Sequence, residues 1–216
     1  TSPYDSGSYA SSSTYVTGKA VERACEKLKG RILNKAAQMM EIDSADNLEF
    51  DGKKVSDPES GKEISLVDIS TASMVNNNET FQVTETNSSP VSLPPFMVGM
   101  VEIELDKETG HIEILDYVAV VDCGTPVNPN LARVQVEGGL GQGIGMALYE
   151  GVDYTLNGYV KQNSFMQYKV PSRVDVGKLR VEFESSYEPT GPFGAKSIGE
   201  IVINTPSPAI ADAVFN

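Results

Sequence analysis

The stretch Gly191-Pro-Phe-Gly-Ala-Lys-Ser-Ile-Gly-Glu200 sets one ammonium and one carboxylate among small residues. Glycines admit positive φ and close approach to the main chain, so a bulky ligand could press against backbone amides while Lys196 and Glu200 face it. The bland alternative is a glycine-rich surface loop with a solvated Glu, and this loop alone does not choose between them. A second run, Val136 to Glu150 preceded by Gln135, carries Leu140, Ile144, Ala147 and Leu148 on one helical face. Gly139, Gly141, Gly143 and Gly145 leave the other face nearly bare. Each helical glycine costs about 0.8–1.0 kcal/mol relative to Ala, so something must come very close to this helix, either a ligand or packed protein. A dinucleotide fingerprint is excluded, because no βαβ unit with an acidic residue about 20 positions on can be laid over Gly141-Gln-Gly143. A third run, Ala10-Ser-Ser-Ser-Thr-Tyr-Val-Thr-Gly18, reads by composition as a flexible lead-in, yet it is dense in hydroxyl and amide hydrogen-bonding groups.

Taken together and in this order, the three segments resemble the molybdenum hydroxylases, the xanthine dehydrogenase and aldehyde oxidase family, over most of the chain. The resemblance implies oxidative hydroxylation of an electron-poor carbon, with water as oxygen donor. It implies a molybdenum–molybdopterin cofactor, in mononucleotide or cytosine dinucleotide form, with iron–sulfur and FAD groups on partner domains or subunits carrying electrons away. By the same resemblance Ala10, Ser11, Ser13, Gly18, Gln135, Lys196, Ser197, Ile198 and Gly199 are cofactor-binding candidates, and Glu200 stands at the family's position for the catalytic base. No protein side chain is implied as a metal ligand, since the pterin holds the metal. Such a base works best as a carboxylate in a dry pocket, where burial raises its pKa toward the working range.

Gly191-Pro-Phe-Gly194 reads most like the bacterial xanthine dehydrogenase branch, which points to a purine such as xanthine or hypoxanthine. Aldehydes and N-heterocycles such as nicotinate stay open, and so does a non-catalytic pterin-binding or assembly module. The family's upstream loops, one bearing Gln and one bearing Arg among glycines, are absent from these residues. The expectation is therefore the C-terminal part of a molybdopterin-binding subunit, spanning residues 1–216, that neither holds the cofactor nor turns over by itself. An opening on Thr1-Ser-Pro without Met and a last apolar run ending at Asn216 agree with a piece of a longer chain.

The elements that must position these residues read as α+β, antiparallel or mixed sheets covered by helices. Apolar positions Val21, Ala24, Leu28, Ile32, Ala36 and Met40 repeat at helical spacing from Gly18 to about Met40, with Thr17 as N-cap and Cys25 on the buried face. Helical amides around Gly18 could receive a phosphate. Asp51-Gly52 marks a hairpin, and residues 64–69 lean toward helix. Val98 to Leu105 and His111 to Val121 form a second hairpin; the two prolines and glycine of residues 123–129 break its strand, and a helix over 135–150 follows. Leu179 to Glu184 alternates as a half-buried strand, and Pro206 opens a last helix.

The 216 residues carry 17 basic and 30 acidic side chains, a net charge of -13, which disfavours nucleic acid and anionic lipid as partners. Two separated cysteines and a single His111 provide too few ligands for a zinc site. No apolar run is long enough to span a bilayer, and a cytoplasmic location is expected.

Overall fold

The computed structural model describes residues 4, 7–89, 91 and 93–216; Thr1-Ser-Pro lies outside them. The chain divides into two compact units, residues 1–5 with 17–88 and residues 6–16 with 89–216. The α+β expectation holds in both.

In the first unit, α1 (Gly18–Met40) and α2 (Leu66–Asn77) accompany a small antiparallel sheet of β1 (Glu49–Phe50), β2 (Lys54–Ser56) and β3 (Glu63–Ser65). Ile32, Ala36, Ala37 and Met40 bury one side of α1 among Leu48, Val55 and Ile69. The 3.6-residue period thus set the helix and its register, but only its C-terminal half is buried. Val21 and Cys25 are exposed, so Cys25 is not the core residue its periodicity suggested. Thr17 is not an N-cap either: it has helical φ and ψ and caps nothing, because a π-helical turn over Ser13–Thr17 runs straight into α1. Residues 64–69 divide between strand and helix, with Ser65 accepting the Asp68 amide as the N-cap of α2.

The second unit is built on the hairpin of β4 (Phe96–Leu105) and β5 (Ile112–Asp122), joined by a turn whose carboxylate, Asp106, accepts the amides of Glu108 and Thr109. The register shifts between Glu102 and Ile103. Against β5 lies β6 (Lys178–Phe183), parallel to it, with Asp116 opposite Lys178. A parallel neighbour requires a crossover, and α3 (Pro129–Leu148) is part of it. Val136 and Leu140 of α3 seal the inner sheet face with Tyr117, Ala119, Val121, Val181 and Val202. Tyr117 is fully buried; its hydroxyl is satisfied by donating to Thr205 at 2.9 Å just before α4 (Pro206–Phe215).

The helix expected over 135–150 begins six residues earlier. Asn128 accepts the Leu131 amide at 3.1 Å as N-cap and Pro129 fills the first position. Both are standard helix-opening residues, and Pro129 starts the helix as well as ending the strand region. Among the described residues no helix is long and apolar enough to cross a membrane.

Candidate functional site

Three segments of the second unit converge on one cleft of about 620 Å³. The first is the Ser/Tyr segment from Ser8 to Thr14, the second runs from Cys123 to Gln135, and the third is Ala195 to Glu200. Ser11, Ser13, Gln135, Lys196, Ile198, Gly199 and Glu200 all line it; Ala10 and Ser197 do not, and Gly18 opens α1 in the other unit.

Local geometry explains the convergence. Ala10 and Ser11 both have positive φ, 48° and 55°, a turn that non-glycine residues adopt only when the surroundings hold it. The turn brings Ser11 against Gly199, where a Cβ would lie 2.8 Å from Ser11 Oγ. Only glycine permits that approach. The segment is pinned from below by Tyr15, whose buried hydroxyl bonds Thr190 and accepts from Ser89 Oγ at 3.1 Å.

The second and third segments are laced together by backbone. Lys196 N donates to Cys123 O at 2.7 Å and Thr125 N to Gly194 O at 2.8 Å. Gly124 has φ +70°, and a Cβ there would stand 2.8 Å from Lys196 N. Gly194, at φ +84°, has no room for one beside Thr125 Oγ1, 2.7 Å away.

Asp122, which sequence reasoning passed over, is the polar centre of this wall. It accepts from Gly124 N at 2.9 Å, Ser186 Oγ at 2.6 Å and Lys196 Nζ at 2.7 Å. Desolvation works to raise its pKa, but the hydrogen bonds from Lys196, Ser186 and Gly124 outweigh it and hold the carboxyl below its ordinary value. Glu188 is lowered as well, first by the Thr190 hydroxyl and then by the Thr190 amide. The Lys196 ammonium is thus committed to Asp122, so it is not an open cation for a phosphate. Desolvation raises the Cys123 thiol, which keeps it neutral at the cleft wall. A strand-final Asp before Cys-Gly-Thr-Pro was the available signal for Asp122, but its partners lie 64 and 74 residues on.

Because both carboxyls are depressed in the fold, their stabilisation is complete above their ordinary values of 3.8 and 4.5 and is lost as pH falls through the lowered values. Urea midpoints followed from pH 7 to pH 3 are expected to stay level near neutrality and to fall on the acid side. Replacing Asp122 by Asn should flatten part of that fall.

Glu200 stands exposed at the rim, immediately before a short 3-10 turn (Ile201–Ile203) whose Val202 is 1% exposed. A dry carboxylate was expected; among the described residues the cleft is open on that side.

The polar side chains lining the cleft include Ser8, Tyr9, Ser11, Ser13, Thr14 and Thr125 with the amides of Asn128 and Gln135, Ser13 donating to Ser8 and Thr125 to Ser186 O. Such a set suits a flat heteroaromatic ring edged with donors and acceptors, and the bare Gly199 lets it approach the main chain. The residues present therefore fit a pterin.

Comparison with known proteins agrees. Residues 1–177 match the molybdopterin cofactor-binding domain, and the chain belongs to that family. It is 34% identical over 215 residues to a probable hypoxanthine oxidase, XdhD, of Escherichia coli, covering 99% of this chain and 22% of that one. It is 32% identical over 220 residues to the gamma subunit of the 6-hydroxypseudooxynicotine dehydrogenase complex of Paenarthrobacter nicotinovorans, covering 96% and 27%. Its fold superimposes on CO dehydrogenase from Oligotropha carboxidovorans with a TM-score of 0.86 at 28% identity, over 100% of this chain and 27% of that one. The chain spans about a quarter of the length of these relatives.

Proposed function

We propose that this chain is part of a cytoplasmic molybdenum hydroxylase that oxidises a purine, xanthine or hypoxanthine, using water as the oxygen donor. The observation that carries this reading is the convergence of Ser11, Gln135 and Glu200 on a single cleft from positions far apart in the chain. The similarity to the hypoxanthine oxidase supports the purine.

When bound, the molybdenum–pterin group, as mononucleotide or cytosine dinucleotide, accepts the two electrons taken from the substrate carbon. The chain's own residues then have distinct tasks. Ser11, Ser13 and Gln135 would hydrogen-bond the edge of the pterin, with Ile198 and Gly199 shaping the approach of backbone to it; Ala10, Gly18 and Ser197, the other candidates, take no part in this cleft. Glu200 takes the proton of the attacking water on a carboxylate oxygen. Iron–sulfur and FAD partners receive the electrons, in keeping with the relative named as one subunit of a complex.

The test has two arms. The 216-residue chain purified alone should carry no molybdenum above background by elemental analysis. The full-length subunit with its partners should carry it and reduce a dye acceptor with xanthine or hypoxanthine. Turnover of aldehydes or nicotinate-like rings instead would replace the purine. Molybdenum without turnover of any of these would point to a pterin-holding or assembly module, and stoichiometric metal on the isolated chain would overturn the reading of it as half a site.

A further inference from the structure

Glu200 must be held at a fixed place over the cleft although it is exposed and lies in a loop. One side is secured by Val202, two residues on, which is buried under α3 at Gly139. The other side runs back through Gly199 to Lys196, and there the structure supplies an unusual concentration of ties. Lys196 is mostly buried, its ammonium 2.7 Å from Asp122 Oδ2 and 5.6 Å from the centroid of the Phe96 ring. Its amide donates to Cys123 O. Asp122 in turn holds Gly124 on the turn after β5 and Ser186 on the segment after β6. Through this pair, β4, β5, the post-β6 segment and the glycine loop meet at one point.

We propose that Asp122 and Lys196 form a positioning clamp for Glu200, acting through the backbone of residues 196–200 and not by touching substrate. The proposal rests on the reading of Glu200 as the base. A partly buried carboxylate–ammonium pair with a direct hydrogen bond has good directional hold, and it links the acid's loop to the strand that leads into Gln135. The distance between the two walls of the cleft is thereby set at the clamp. Lys196, taken from sequence as a cofactor contact, thus serves Glu200.

The experiment uses the full-length, cofactor-loaded enzyme with Asp122→Asn, Lys196→Met, their combination, and Lys196→Arg. Asn keeps acceptors for Gly124 and Ser186 while removing the charge. Expected is a fall in kcat of about 10- to 100-fold for each single variant, since a misplacement near 1 Å costs on that order. KM and molybdenum content should stay at the wild-type level, the double variant should be no worse than the worse single one, and Lys196→Arg should recover part of kcat. Hydrogen exchange of the amides in residues 191–200 should quicken in Asp122→Asn and Lys196→Met. Unchanged exchange in that loop, or single effects that multiply in the double variant, would overturn the clamp. Exchange is read without turnover, so it still decides the clamp if Glu200→Gln leaves activity intact and the base reading itself fails. Should Asp122→Asn not fold, the two Lys196 variants decide by the same measurement.

Discussion

Glu200→Gln in the full-length, cofactor-loaded enzyme is expected to abolish turnover, a loss on the order of 10²–10⁴-fold or more, with molybdenum content near normal. The substitution keeps size and hydrogen-bonding capacity but removes the basic oxygen. Its structural cost should be small: Glu200 is exposed, and its backbone rather than its side chain starts the turn that carries Val202. Metal content and activity should therefore separate. If both fell in proportion, the side chain would be holding the cofactor or the fold instead of moving a proton. A wild-type rate would leave the cleft without its acid, since among the described residues lining it Glu200 is the sole carboxylate.

What could be read from the amino acids, and what could not, follows from the range of the interactions involved. The length of α1 and the hairpin of β4 and β5 are written in periodicities of a few residues, and both came out where the apolar pattern placed them. The grouping of Ser11, Gln135 and Glu200 was legible only through the family resemblance that the three motifs carry together; each motif alone left a bland reading open. Cys25 was misjudged because periodicity says which face could be buried, not how far along the helix anything covers it. The parallel pairing of β6 with β5, the clamp at Asp122 and the pin at Tyr15 are long-range: Tyr15 and Thr190 are 175 residues apart. No local pattern announces such partners. Glu200's exposure likewise depends on what stands across the cleft, not on its own neighbours.

The glycines of α3 give the most instructive case. Their number implied a close neighbour, and the structure divides them by what that neighbour is. A Cβ on Gly139 would lie 2.7 Å from Val202 Cβ and one on Gly143 would lie 2.5 Å from Pro206 Cγ, so these two make room for the C-terminal part of the chain. Gly138 and Gly141 meet nothing within 4 Å. Gly139→Ala is accordingly expected to destabilise the protein by about 1–3 kcal/mol through overpacking, less roughly 1 kcal/mol of regained helix propensity. Because the buried Val202 cannot swing aside, the strain should pass to the turn two residues from Glu200, and kcat should fall further than stability alone accounts for. Gly141→Ala should do neither, and in the folded enzyme it should leave the urea midpoint level or raise it slightly. Comparing urea midpoints, kcat and molybdenum content for the two variants separates the roles. If Gly141→Ala instead strips molybdenum, the open glycine face serves the cofactor, and the helix is shaped on two sides for two different neighbours.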